Sequence, residues 1–228
     1  MDQNFVLIVA AGKGSRMQSN LPKQYLLLEN KPVLMHTIEK FYASETKPQL
    51  IIAIDSEMED FWKSLCEQYH FTIPHSITYG GQTRFQTVEK GIAFIKNMRP
   101  DLSGSAIAIH DGARPLIHTT TIDLAFEKVK TSKAVIVARS STDSVRVSTG
   151  TNTQAINRNQ IWLVQTPQIF EGGLLERAYK QEEEPTFTDD ASVVEKLGHA
   201  IEIVMGDYRN IKITYPEDLE IAEIYLKM

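Results

Sequence analysis

The sequence predicts an α/β chain: a Rossmann-like, three-layer, mostly parallel sheet with helices on both faces, plus an extended β-arm. Three observations predict it. Continuous apolar, β-branched runs alternate with segments whose apolar residues recur at helical spacing. Glycine-bearing turns follow several of those runs, as in open parallel sheets that bind ligands beyond the carboxyl ends of their strands. The alternation then lapses over residues 139–165, where no helical spacing is found.

Phe5–Ala10 (FVLIVA) has the continuous apolar character of a strand buried on both faces. From Pro32, Leu34, Ile38, Phe41 and Tyr42 fall on one helical face. Leu50–Ile54 is a second buried strand, and Phe61, Trp62, Leu65 and Tyr69 mark a second helix. Ile73–Tyr79 is a third strand, ending at Gly80-Gly81. Val88, Ile92 and Ile95 give a helix, Ala106–Ile109 a strand, Ile122 to Val129 a helix and Ala134–Ala138 a strand. Ser144–Ser148 and Gln154–Asn157 then read as extended segments around a turn-prone Thr149-Gly150-Thr151-Asn152. A long two-stranded arm buries little by itself, so it is expected to pack on another surface, a second subunit being favoured over its own domain. Thr188 is expected to cap a helix to Leu197, stopped by Gly198. Ile201–Val204 is a strand, and Thr214 and Glu217 have capping-box spacing before a helix from Leu219 to Leu226.

Composition sets the outer limits. The 228 residues suit one large domain or one domain with an appendage. Apolar residues are 42 % and charged residues 23 %, enough for a sizeable core. A net charge of −5 argues against a nucleic-acid coat or an anionic-membrane binder, though not against a local basic pocket. The one cysteine, Cys66, permits no intramolecular disulfide and no cysteine-based zinc site, which fits a reducing compartment. The apolar run Phe5–Ala11 is too short for a signal sequence or a membrane span, and a cytoplasmic protein is expected.

Four segments carry the candidate chemistry. Ala10-Ala11-Gly12-Lys13-Gly14-Ser15-Arg16-Met17 follows the first strand. Its small residues let backbone amides cradle phosphate oxygens, and Arg16 with Lys23 adds positive charge suited to a triphosphate. The spacing matches neither G-x-x-x-x-G-K-[ST] nor G-x-G-x-x-G, since Met17 stands three after Gly14. In Ile109-His110-Asp111-Gly112-Ala113-Arg114-Pro115, Asp111 stands just past a buried strand. One carboxylate with substrate phosphates is a usual way to hold Mg²⁺, so Asp111 is the leading metal ligand, and Arg114 can grip an anion. The plainer reading is an aspartate capping its turn with an arginine paired to it. Gly80-Gly81 followed by Thr83 and Thr87 lets backbone approach a flat base, or else is a glycine turn with Thr83 as helix N-cap. Lys212, before the last helix, can reach a phosphate. His36 reads as a satisfied core histidine, Cys66 as a structural thiol and Glu182-Glu183-Glu184 as a solvated loop.

Together these blocks resemble the 2-C-methyl-D-erythritol 4-phosphate cytidylyltransferase family. The pattern runs in order from about residue 5 to residue 226: A-A-G-K-G-S-R-M, P-K-Q-Y, K-P-V-L-M-H-T, G-G-Q-T-R-F-Q-T-V, H-D-G-A-R-P, T-P-Q, T-D-D-A-S and N-I-K-I-T-Y-P-E-D-L. The resemblance implies one nucleotidyltransferase domain over 1–228 with a β-arm inserted at about 139–160. It implies that CTP and a polyol phosphate react, with Mg²⁺ or another divalent cation, to give a CDP-linked polyol and pyrophosphate. It implies Arg16 and Lys23 as transition-state stabilisers, with Arg158 and Lys212 positioning the incoming phosphate. Ala10, Ala11, Gly12, Gly14, Gly81, Thr87 and Asp111 fall on the CTP side, and Arg114, Ser144, Thr166 and Thr188 on the acceptor side. The arm corresponds to the family's dimer arm, so a homodimer is implied. Three positions depart from the family pattern: Ser144 stands for a threonine, Thr87 for a serine and Gly112 for a frequent alanine. A second metal carboxylate has no counterpart before Asn210, where Arg209 stands; the nearest acid is Asp207. Ribitol 5-phosphate cytidylyltransferases share most blocks and are the nearest alternative. Hexose 1-phosphate nucleotidylyltransferases and a non-catalytic nucleotide-binding module are more distant ones.

Overall fold

A computed structural model describes residues 3–12, 17, 19 and 21–228. Its centre is a seven-stranded sheet in the order β11-β7-β10-β6-β1-β4-β5. The strands are β1 (Phe5–Ala10), β4 (Gln49–Ile54), β5 (Ser76–Tyr79), β6 (Ala106–Asp111), β7 (Ala134–Ser140), β10 (Trp162–Glu171) and β11 (Glu202–Met205). Two small hairpins lie outside it, β2 (Leu27–Leu28) with β3 (Lys31–Pro32) and β8 (Arg146–Thr149) with β9 (Asn152–Ala155). All pairings in the large sheet are parallel except those of β10, which runs antiparallel to both β6 and β7.

Side chains alternate across the strands, so the apolar runs feed two cores. Val6 and Ile8 face one core with α1 (Val33–Tyr42), α2 (Glu59–Gln68) and α4 (Thr119–Ser132). Phe5 and Leu7 face the other with α3 (Arg84–Met98), α5 (Gly172–Ala178) and α6 (Asp190–Glu195). This is the three-layer arrangement expected. A third cluster, with Leu28, Val33, Leu116 and Ile213, seats α7 (Glu217–Leu226) beside the β2–β3 hairpin. None of the described helices is long and apolar enough to cross a membrane.

The arm leaves β7 at Ser140 and rejoins the sheet at Trp162, with the β8–β9 hairpin between them. Every residue of β8 and β9 is exposed. Several sequence expectations need correction. Strand β10 and helix α5 have no counterpart among the elements expected from the sequence. The cap of α6 is Asp189, whose side chain accepts from Ser192 N–H in a full capping box; Thr188 stands one residue outside it. Thr214 does not cap α7; Asp218 Oδ2 instead accepts from the Thr214 and Tyr215 amides at 2.7 and 2.8 Å. His36 is buried with Nε2 2.8 Å from the Leu28 carbonyl, as a core histidine should be. Half-burial pushes the Cys66 thiol up to about 11, which suits the structural reading.

Candidate functional site

The chain runs from β1 to β4 and β5 on one side, then returns to β6 on the other. Ligands in such sheets bind at this reversal, beyond the carboxyl ends of the strands. A cleft of about 800 Å³ lies there. Its walls are the ends of β1 (Val9–Gly12) and β4 (Asp55–Glu57), the turn after β5 (Gly80–Arg84) and the end of β6 (Asp111), with Lys23 and Lys212 reaching in.

Each wall has a local support. Gln24 is buried, and its Nε2 donates to the Ala10 carbonyl at 2.6 Å and the Gly12 carbonyl at 3.2 Å. It thereby fixes the strand end that leads into the glycine loop. Thr83 caps α3 by accepting from Gln86 N–H at 3.1 Å. Thr87 Oγ1 accepts from Gly81 N–H at 3.0 Å and donates to the Thr83 carbonyl at 2.9 Å. Lys90 Nζ donates to the Gly80 carbonyl at 3.0 Å. Both polar groups of the Gly80–Gly81 peptide are thus held by α3, and Thr87 shapes the turn. Gly80 is required there: a Cβ would lie 2.3 Å from Ala11 Cβ.

Asp111 is the electrostatic centre. Oδ2 lies 3.0 Å from Lys212 Nζ and 3.2 Å from Arg114 Nε. Oδ1 is turned toward Arg84 Nε at 3.9 Å, too far for a hydrogen bond. Burial raises the Asp111 carboxyl, but the charges of Lys212, Arg84 and Arg114 outweigh it and hold the group well below the usual carboxylate range. Behind it, Thr166 Oγ1 accepts from Asp111 N–H at 3.0 Å and lies 3.1 Å from His110 Nδ1. Burial lowers His110 to about 4, so this imidazole is a neutral packing group.

Of the residues expected in the site, Ala10, Ala11, Gly12, Lys23, Gly81, Thr87, Asp111 and Lys212 converge on the cleft. Gly14 and Arg16 lie outside the described residues. Arg114 is not a cleft wall; it bonds to Asp111 and donates to the Asn210 carbonyl at 2.9 Å. Thr166 is buried and works through the Asp111 backbone. Thr188 is exposed at the entry to α6. Ser144 and Arg158 sit on the exposed base of the arm, where Arg158 Nη1 donates to the Thr142 carbonyl at 3.0 Å. Neither lines the cleft of its own chain. Two residues not singled out from sequence do matter: Gln24, and Arg84, whose terminal nitrogens bind Asp190 at 2.7 and 2.6 Å.

Asp207 does not join Asp111. It is paired with Arg209, whose side chain and backbone bonds hold its carboxyl at about 2. Among the described residues no three His, Cys, Asp or Glu side chains form a metal cage. The donor set still fits Mg²⁺ bound as part of a triphosphate complex. Asp111 is ionised, lies on the cleft wall and has one oxygen with no hydrogen bond from a protein cation, and Mg²⁺ takes its other ligands from phosphates and water.

Comparison with known proteins agrees with this geometry. A family model described as "IspD: 2-C-methyl-D-erythritol 4-phosphate cytidylyltransferase" matches residues 5–228. The chain is similar to the 2-C-methyl-D-erythritol 4-phosphate cytidylyltransferase of Bacteroides fragilis, with 45 % identity over 96 % of this chain and 98 % of that one. It is 43 % identical to that of Phocaeicola vulgatus over 97 % and 98 % of the two chains. Among solved structures it resembles 4-diphosphocytidyl-2C-methyl-D-erythritol synthase from Anaerococcus prevotii, with a TM-score of 0.81 and 27 % identity, covering 99 % of this chain and 97 % of that one.

Proposed function

Since the chain belongs to the 2-C-methyl-D-erythritol 4-phosphate cytidylyltransferase family, we propose a division of its nucleotidyl transfer among the residues around Asp111. The reaction is a CTP-dependent cytidylyl transfer to 2-C-methyl-D-erythritol 4-phosphate, in isoprenoid precursor synthesis. An acceptor phosphate oxygen attacks the α-phosphorus of CTP, the bond from that phosphorus to the β-phosphate bridge breaks, and pyrophosphate leaves. The acceptor oxygen already carries negative charge, so no general base is needed. Catalysis rests on alignment and on offsetting charge.

In this reading Ala10, Ala11, Gly12 and Gly14 receive the nucleotide, with Gly81 and the turn shaped by Thr87 against the base. Arg16 and Lys23 offset the charge that grows on the phosphates. Asp111 faces the ribose and metal side, and Mg²⁺ bound with CTP supplies charge neutralisation. Lys212 meets the incoming phosphate. Arg114 and Thr166 stand on the acceptor side and also brace Asp111, by its side chain and its backbone. The observation that carries the reading is the Asp111–Lys212 pair facing one cleft with the Ala10–Gly12 and Gly80–Thr87 backbone.

Arg158, Ser144 and Thr188 belong to the acceptor side of a site completed across a homodimer. The fully exposed β8–β9 hairpin supports this, because an isolated hairpin needs a surface to lie on. One domain with an inserted arm, working in the cytoplasm, completes the reading. The test is to mix two inactive proteins, Lys23→Ala and Arg158→Ala, after dissociating and reassociating their subunits. Partial activity in the mixture is expected, since some sites then combine an intact cleft with an intact arm. A mixture as inactive as its parts, with sedimentation showing mixed dimers, would refute the shared site.

A further inference from the structure

We infer that Asp190 is a positioning residue for the nucleotide site: it holds the Arg84 guanidinium so that Asp111 Oδ1 feels its charge at 3.9 Å without taking a hydrogen bond from it. The inference takes from the functional reading above the identity of the ligand, CTP, and the place of Asp111 in the site.

Arg84 opens α3 directly after the Thr83 cap and forms part of the cleft wall. Nη1 binds Asp190 Oδ1 at 2.7 Å and Nη2 binds Oδ2 at 2.6 Å. A paired arrangement of this kind fixes direction as well as distance. Asp190 is wholly buried, 0 % exposed, and Tyr179 Oη donates to its Oδ1 at 2.6 Å. The Tyr179 ring is stacked on Phe85 with centroids 4.7 Å apart, next to Arg84. The segment carrying Asp190 is itself anchored. Gln168 Nε2 donates to Asp189 Oδ2 at 3.0 Å, and Gln168 Oε1 accepts from Ala191 N–H at 2.9 Å. The guanidinium is therefore gripped by an acid that cannot shift.

Two carboxylates lie within reach of one arginine. Asp190 takes both terminal nitrogens, while Asp111 Oδ1 is kept 3.9 Å from Nε. A buried ion pair contributes little net stability once its desolvation is counted, so its use is geometric. Arg84 lends Asp111 its charge from a distance. Without the charge of Asp190, the guanidinium would turn to Asp111 and bond directly to Oδ1, the oxygen that now carries no hydrogen bond from a protein cation.

The test compares Asp190→Asn, the double variant Asp190→Asn with Arg84→Met, and Arg84→Lys. CTP affinity is measured by calorimetry with Mg²⁺, and KM for CTP and for 2-C-methyl-D-erythritol 4-phosphate by pyrophosphate release, at temperatures where each variant is folded. Asp190→Asn should bind CTP roughly tenfold more weakly, the scale on which loss of an outer partner acts. The acceptor KM should change little. The double variant should recover most of the CTP affinity, because no guanidinium remains to capture Asp111. Should Asp190→Asn not fold, Arg84→Lys carries the test. A lysine cannot grip both oxygens of Asp190, so CTP affinity should drop, although the charge pair that a merely structural role needs is kept. Unchanged CTP affinity in a folded Asp190→Asn or Arg84→Lys protein would overturn the inference. So would a double variant as weak as the single one. Wild-type turnover reports on the reaction itself, so that reading and this one can fail separately.

Discussion

Lys212 Nζ and Asp111 Oδ2 lie 3.0 Å apart, joining the segment before the last helix to the end of the central strand β6. Lys212, ahead of Arg84 and Arg114, offsets the burial of the Asp111 carboxylate and holds it ionised. Lys212 is partly exposed and lies on the cleft wall, and its remaining donors are open to an anion.

Lys212→Met should therefore cost activity more than stability. The expected loss in kcat is roughly 10²–10³, typical of removing one group aimed at developing charge. The thermal midpoint should fall less than activity does, because Lys212 is itself partly exposed and Arg114 still pairs with the buried Asp111. Steady-state kinetics and a melting curve on one preparation check both parts. A variant that unfolds early but works normally when cold would make Lys212 structural.

Thr87→Val removes a hydroxyl that both accepts from Gly81 N–H and donates to the Thr83 carbonyl. The residue is buried, so the loss should cost about 1–3 kcal/mol of stability. KM for CTP should also rise as the Gly80–Gly81 turn loosens. Thr87→Ser keeps the hydroxyl and should retain wild-type KM. Equal KM values for all three proteins would remove the turn from nucleotide binding.

His75 offers a pH reading away from the cleft. Its Nε2 accepts from the Trp62 indole N–H at 3.0 Å, and Nδ1 lies 2.7 Å from the Ile73 carbonyl, so Nδ1 carries the proton. Burial lowers its pKa below 6.5. The fold favours the neutral ring, so its contribution is fully present above pH 6.5 and is lost as pH falls through the lowered value. Protonating Nε2 breaks the Trp62 bond. Near-ultraviolet dichroism should change as acid is added, before global unfolding, and His75→Gln should lack that step. An identical acid transition in both proteins would contradict this account.

Gly91→Ala tests the packing of α3 on the sheet. A Cβ there would lie 2.2 Å from Leu7 Cδ2, inside a core with no spare room. A cost of roughly 1–3 kcal/mol is expected from overpacking. Activity at low temperature should stay close to wild type, since Gly91 is not among the residues that line the cleft. A stability unchanged in denaturant titration would show that Leu7 can yield without cost.

What the sequence could disclose follows from where each signal resides. Buried parallel strands announce themselves as apolar runs, and FVLIVA and LIIAI match β1 and β4 closely. Strand β10 carries no such signal. Trp162–Val164 lies at the arm base with Leu163 and Val164 exposed, and the buried stretch contains Gln165, Thr166, Pro167 and Gln168. Its register also shifts between Val164 and Gln168, which breaks any period of two. The cleft residues were legible where they are contiguous, as in Ala10–Gly12 and Gly80–Thr87. Arg84 was not singled out although it stands in a quoted block, because the residue that gives it meaning, Asp190, lies 106 positions away. For Arg114 and Thr166 the sequence suggests an acceptor-side role, and the structure adds a second one that sequence does not show. Their neighbours in sequence suggest a site, while their bonds go to Asp111 and the strand behind it.

The most direct measurement of the central claim is pyrophosphate release by the wild-type protein with CTP and Mg²⁺. It is run in parallel with 2-C-methyl-D-erythritol 4-phosphate, ribitol 5-phosphate and glucose 1-phosphate. Turnover with the first acceptor and background rates with the other two are expected. Turnover with ribitol 5-phosphate in place of the first, or silence with all three despite measurable CTP binding, would contradict the account.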